Sequence, residues 1–319
     1  MLYLRWRHTR AARNTIRGER TLTSIPPPKH LVRREDGLWL VDTEEGGSTL
    51  LGFRIREVLF EAQTPHQHIL VLDSFDYGKM LVLDGIVQTT VRDGFIYNEM
   101  IAHPPLLFHP DPRRVLIVGG GDLGAAREVL KYPEVESLVL VEIDAQVVEA
   151  ARTHLPEIAG SGDDPRLVLH TEDGMRFLEA TLPAQFDVIL VDSSDPIGPA
   201  VGLFRPEFYA AAKRALRPGG ILVVQSESPL YHRSTGENVL SALRSLFATV
   251  RPYWSVVPTY AGGFWMFTLA TDLDELSFRR TLPADTKFAT PSFIRTAFDL
   301  PPFLREWTEN LPPSPPAKR

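Results

Sequence analysis

The chain contains no cysteine, which excludes disulfides, thiolate zinc sites and cysteine nucleophiles. It has no apolar run near the roughly 20 residues that span a bilayer. The first 20 residues are rich in arginine but lack the apolar stretch of a secretory signal. Lysine is scarce, with six residues against 28 arginines, a bias that codon composition explains more cheaply than function. The nine histidines stand at no spacing with acids that suggests a metal site, and there is no internal repeat. A cytoplasmic protein, free of metal and membrane, is the expectation. With 319 residues, 44% of them hydrophobic, there is enough apolar material for one large domain and a smaller one.

Charge is divided unevenly. Residues 1–35 sum to +7 and residues 36–319 to −13. An acidic body disfavours nucleic acid and suits cationic small molecules. Four parts are expected: a basic, mobile arm over 1–35, a small β-domain over 36–94, a catalytic domain over 95–301, and a frayed Pro-rich tail over 302–319. In the second part, Ile69 to Asp73 and Met80 to Asp84 are strand-like runs bracketed by turn signals. Phe95 to Leu107 reads as a helix with Asp93 as its N-cap. From Val115 onward, five apolar strands alternate with helical stretches, which predicts an α/β fold with a doubly wound parallel sheet.

Two motifs carry chemistry. Gly119-Gly-Gly-Asp-Leu-Gly124 leaves the first strand of this sheet and opens a helix. Glu142 follows 18 residues later at the end of the second strand. Glycines at 119, 121 and 124 permit a tight turn and close approach of a ligand to the backbone, and an acid at the second strand end suits ribose hydroxyls. Asp122, inside the loop, would repel a pyrophosphate and attract an amine or sulfonium. A cationic nucleoside therefore fits better than a dinucleotide. Asp173, in Thr171-Glu-Asp-Gly174 after the third strand, can accept from an adenine amino group and also cap a helix. The second motif is Asp192-Ser-Ser-Asp195-Pro-Ile-Gly-Pro199, which follows the strand Phe186 to Val191. Two acids leave the same strand end, and its prolines and glycine favour a shaped loop over a helix.

These segments, with Leu83 to Gln88, Phe95 to Met100, Val141 to Asp144, Pro258-Thr-Tyr260 and Ala297 to Pro301, resemble the spermidine synthase family of polyamine aminopropyltransferases. They run in family order from about Trp39 to Pro301. The resemblance implies a small N-terminal β-domain before a Rossmann-like, methyltransferase-type domain. It also implies transfer of an aminopropyl group from decarboxylated S-adenosylmethionine, a co-substrate rather than a tightly bound cofactor, to an amine such as putrescine. Assembly as a homodimer or homotetramer comes with the same analogy.

An amine with a pKa of about 10.4 is almost fully protonated at pH 7, and removing its proton there costs roughly 4.6 kcal/mol. A carboxylate placed on the attacking nitrogen can take that proton. The resemblance gives this task to Asp192, helped by Tyr97. It places Asp195, Tyr260 and Gln88 around the acceptor amine, Asp122 on the donor's amine, and Gln67, Glu142, Asp173 and Gly174 around the nucleoside. Trp265 and Phe267 read as core. The chain departs from the family pattern at Leu123, Asn98, Gly94 and Val201. Two other readings stay open: amine N-methylation by intact S-adenosylmethionine, and a catalytically silent relative acting as a binding protein.

Overall fold

The structure is a computed structural model and describes residues 30–43, 49–160, 162–196 and 198–311. The expected mobile arm up to residue 29 and the tail from residue 312 lie outside the described residues.

Strands β1 (Leu31–Arg34), β2 (Gly37–Thr43), β3 (Leu50–Gln63), β4 (His68–Ser74), β5 (Gly78–Leu83) and β6 (Ile86–Thr90) form an antiparallel sheet in sequential order. Leu31 to Arg34, assigned above to the arm, pair instead with β2. The turn from β5 to β6 is Asp84-Gly85, both with left-handed backbone (φ 49° and 89°), as a two-residue hairpin between right-twisted strands prefers. β4 is apolar on both faces. Leu70 and Leu72 pack with Leu40, Phe53 and Met80 inside the sheet's own cluster. Ile69 and Val71 pack against Val147, Ala150 and Ile158 of the second domain.

That domain comprises α1 (Gly94–Phe108), β7 (Arg114–Gly119), α2 (Gly124–Leu130), β8 (Ser137–Glu142), α3 (Ala145–His154), α4 (Pro156–Ala159), β9 (Leu167–Thr171), α5 (Gly174–Ala180), β10 (Phe186–Asp192), α6 (Pro206–Ala215), β11 (Leu216–Gln225), α7 (Arg233–Arg244), β12 (Thr249–Val256), β13 (Phe264–Thr271), α8 (Pro291–Ala297) and α9 (Pro302–Glu309). The sheet order is β12-β13-β11-β10-β7-β8-β9. The five strands from β11 to β9 are parallel, whereas β12 and β13 are antiparallel additions at one edge. Alternate residues of each central strand feed opposite cores: Val188 and Leu190 one, Ile189 and Val191 the other. Covering both faces this way is what makes the strands near-continuous apolar runs.

Three local expectations are corrected. The loop after β10 contains a 3₁₀ helix, Gly198–Phe204, since a proline in a first turn loses no helical hydrogen bond. The tail is ordered through α9, because Leu304 and Trp307 are buried against Leu240 and Met266. Asp93 precedes α1 but makes no side-chain cap; its carboxylate is engaged elsewhere. Glu99, one turn into α1, accepts from three consecutive backbone amides, Lys287, Phe288 and Ala289, at 2.7–2.9 Å. This fixes α1 against the coil that leads to α8.

Candidate active site

From β7 the chain runs outward to β8 and β9, then returns to the other side of β7 for β10 and β11. Ligands of open α/β sheets bind in the crevice at such a reversal, beyond the carboxyl ends of the strands. The main cleft lies there, and the antiparallel sheet contributes Asp42, Gln67 and Gln88 to its wall.

The glycine loop is shaped by what surrounds it. Gly119 and Gly120 have φ of 84° and 69°. A Cβ on Gly119 would lie 2.2 Å from the Asp192 carbonyl oxygen, and one on Gly120 2.9 Å from the Asp192 carboxylate. A Cβ on Gly121 would lie 2.9 Å from the Glu142 carboxylate, and one on Gly124 2.0 Å from Asn98 Nδ2. The Gly120 N–H donates to the Asp192 carbonyl at 2.8 Å. β7, β8 and β10 thus converge on one turn, with an acid at the end of each neighbouring strand. Leu123, the departure from the family's loop, is left-handed (φ 64°), a conformation costing a non-glycine residue about 1–2 kcal/mol. Its side chain is buried to 1% exposure in the core beneath the loop, which offsets that cost.

Each carboxylate is held distinctly. Asp122 Oδ1 accepts from the Gly124 N–H at 2.9 Å, and Thr89 donates to the same side chain. Burial still raises the Asp122 pKa. Glu142 accepts from the Asp144 N–H at 3.0 Å and from the amides of Ile143 and Gly121, yet burial pushes it up to about 7. Asp144 caps α3 and also receives Thr64 Oγ1 at 2.7 Å and Gln67 Nε2 at 3.2 Å. The small sheet is thereby latched beside Glu142. Asp173 caps α5 through the Arg176 N–H at 3.0 Å and lines the cleft together with Gly174.

At the other end, Tyr97 hydrogen-bonds Asp192. Burial, with Asp122 close by, raises Asp192 to about 7. The Tyr97 and Tyr260 rings meet edge-on at 6.0 Å, and Tyr260 donates its hydroxyl to the Gln88 carbonyl at 2.5 Å. Burial and the neighbouring acids raise both phenols well above their ordinary pKa. Trp265, read as core, is buried but also lines the cleft, its ring 4.6 Å from Tyr260.

All thirteen expected site residues line this cleft except Gly124, which supports the loop from behind. Several neighbours escape the sequence reading. Glu227 is fully buried with a left-handed backbone (φ 66°). Burial, and then the negative charge of Glu227 hydrogen-bonded to it, raises the Asp195 pKa well above the ordinary range. Glu227 also lies 3.3 Å from His232. Asp42, Ser193 and Thr259 line the cleft as well. Left-handed glutamate marks a site held against strain, but no spacing rule exposes it in sequence. Among the described residues, no helix is long and apolar enough to cross a membrane.

A cleft at the sheet reversal, lined by acids from several strand ends and walled in part by the antiparallel sheet, marks a Rossmann-like α/β enzyme. Residues 94–280 match the spermine/spermidine synthase domain, and residues 38–90 the spermidine synthase tetramerisation domain. A polyamine aminopropyltransferase of Moorella thermoacetica is 44% identical over 86% of this chain and 97% of its own length. One of Desulforudis audaxviator is 42% identical over 84% and 98%. The spermidine synthase of Thermotoga maritima superposes with a TM-score of 0.82 at 32% identity, covering 91% of this chain and 99% of that one. A spermidine synthase in complex with the transition state analogue AdoDATO superposes at 0.83 and 33% identity, covering 88% and 97%. The chain belongs to the spermine/spermidine synthase family, and it is a transferase of the polyamine aminopropyltransferase type.

Proposed function

We propose that the protein transfers the aminopropyl group of decarboxylated S-adenosylmethionine to a polyamine acceptor, with putrescine as the default, spermidine then the product, and 5′-methylthioadenosine released; agmatine, cadaverine and longer polyamines are the other candidates. The observation that carries this reading is the placement of Asp192. It touches the glycine loop on one side and the Tyr97 hydroxyl on the other, at the junction of a nucleoside end and an aromatic end.

The positions of the lining residues support these roles. Glu142 binds the ribose and Asp173 the adenine, while Gln67, whose amide nitrogen is committed to Asp144, has its carbonyl oxygen for a nucleoside hydroxyl. Asp122 holds the donor's ammonium. The acceptor nitrogen lies by Asp192 and Tyr97, with its far end toward Asp195, Tyr260 and Gln88. As the nitrogen attacks the methylene next to sulfur, a C–N bond forms, the C–S bond breaks, and the electron pair stays on sulfur as a neutral thioether. Asp192 takes the proton lost from nitrogen. A thioether leaving from a sulfonium needs no general acid. Intact S-adenosylmethionine fits less well, because its carboxylate would lie beside Asp122. The match of residues 38–90 to a tetramerisation domain supports a homodimer or homotetramer, which light scattering decides.

The test is to mix purified protein with decarboxylated S-adenosylmethionine and a panel of amines and measure methylthioadenosine. Release of S-adenosylhomocysteine from intact S-adenosylmethionine would replace this reading with methyl transfer. Inactivity with both donors would indicate a silent, binding relative.

A further inference from the structure

Asp93 stands where a helix N-cap is expected, and an N-cap aspartate ordinarily accepts from its own helix's first amides. Here it does not. Its Oδ1 accepts from Thr90 Oγ1 at 2.5 Å, and its Oδ2 accepts from the Thr259 N–H at 2.8 Å and from the Thr259 hydroxyl. The residue is 4% exposed, and none of its hydrogen-bond donors is a cation. A buried carboxylate satisfied only by hydroxyls and an amide depends on every one of them. It therefore fixes those groups strongly.

What it fixes is specific. Thr259 precedes Tyr260, in a turn whose Gly262 and Gly263 are left-handed. Asp93 itself precedes Tyr97 by one helical turn. Tyr260 is tied in turn to the Gln88 carbonyl, on the strand that ends at Thr90. The turn from β6 into α1 is closed tightly, since a Cβ on Gly94 would lie 2.3 Å from Thr89 Oγ1. One carboxylate thus joins the strand bearing Gln88, the helix bearing Tyr97 and the turn bearing Tyr260.

We propose that Asp93 is a positioning residue that sets the spacing of the Tyr97–Tyr260 ring pair, and through it the fit of the acceptor amine. This rests on the reading of that ring pair as the acceptor's wall. In Asp93→Asn the amide nitrogen cannot accept, so one threonine hydroxyl must turn to accept from it and the charged, two-sided acceptor is lost. The acceptor KM should rise about tenfold and kcat fall severalfold, while donor affinity by calorimetry stays within twofold. Hydrogen exchange of the peptide carrying the Thr259 amide should accelerate. Thr259→Val, which keeps the amide and removes the hydroxyl, should give a smaller shift in the same sense, and Thr259→Ser should restore it.

Unchanged exchange in both Asp93→Asn and Thr259→Val overturns the clamp. Faster exchange with acceptor KM and kcat unchanged overturns the positioning role, as does a donor affinity that weakens in step with the acceptor's. Should the wild-type protein prove inactive with every amine, the functional reading fails. The exchange experiment then decides the clamp, and calorimetry with the diamine alone decides whether the ring pair grips an amine.

Discussion

The two ends of the cleft are built differently. The proposed nucleoside end is made mostly of backbone: a glycine turn pressed between strand ends, with Glu142 and Asp192 closing their strands and Asp173 capping the next helix. The proposed amine end is made of side chains that meet across long stretches of chain, such as Asp93 with Thr259 and Tyr260 with Gln88. The first kind of site tolerates almost no change of backbone volume. The second depends on particular hydrogen bonds.

The harshest trial of this contrast is Gly119→Ala. A methyl there meets a carbonyl oxygen at 2.2 Å with φ at 84°, so strain and overlap together should cost on the order of 3 kcal/mol or more. Donor binding by calorimetry should vanish or the protein fail to fold; near-normal affinity would show that the nucleoside end is not a backbone structure. Asp192→Asn comes next and probes the junction. It should lower kcat by about 10²–10⁴, the usual worth of a general base, with donor binding intact. Wild-type turnover would remove Asp192 from its assigned role. Asp122→Asn should weaken donor affinity about tenfold and leave the acceptor KM unchanged. Equal weakening of both substrates would erase the division between the ends.

The smallest effect is on stability. Asp192 and Glu142 rise to about 7 in the folded protein, above the roughly 3.9 and 4.3 of unfolded chains. Between those values the folded state holds protons that the unfolded state has released, so stability falls as pH rises through about 4 to 7 and levels off above. The ligand-free protein should melt about 2 °C higher at pH 5.5 than at pH 8. Asp192→Asn should roughly halve that difference, leaving the part due to Glu142, and saturating decarboxylated S-adenosylmethionine, by bringing positive charge, should reverse it. A melting temperature that rises with pH in the free protein would contradict the direction of both shifts.

The same contrast governs what the sequence reveals. Gly119, Asp122, Glu142, Asp173 and Asp192 follow strands in a fixed rhythm, and that rhythm alone is enough to place them at one sheet edge. Strand β4 is equally readable, as an apolar run. Glu227 is not, because its place depends on a left-handed turn and on Asp195 and His232 arriving from other elements. Local pattern makes Asp93 a cap, but Thr259, 166 residues on, competes successfully for its carboxylate. The order of the tail through α9 is hidden for a related reason. Pro301, Pro302 and the prolines beyond suggest fraying, whereas Leu304 and Trp307 meet a surface that only the folded domain provides.

Leu123 bears on how the proposed donor would be received. Freezing one residue's backbone costs about 1–2 kcal/mol in conformational entropy, and glycine-rich turns have the most freedom to lose. Here a leucine sunk into the core beneath the loop has already fixed it during folding. A nucleoside bound as proposed would meet a finished mould, with little of its binding energy spent on ordering the protein and more left for affinity.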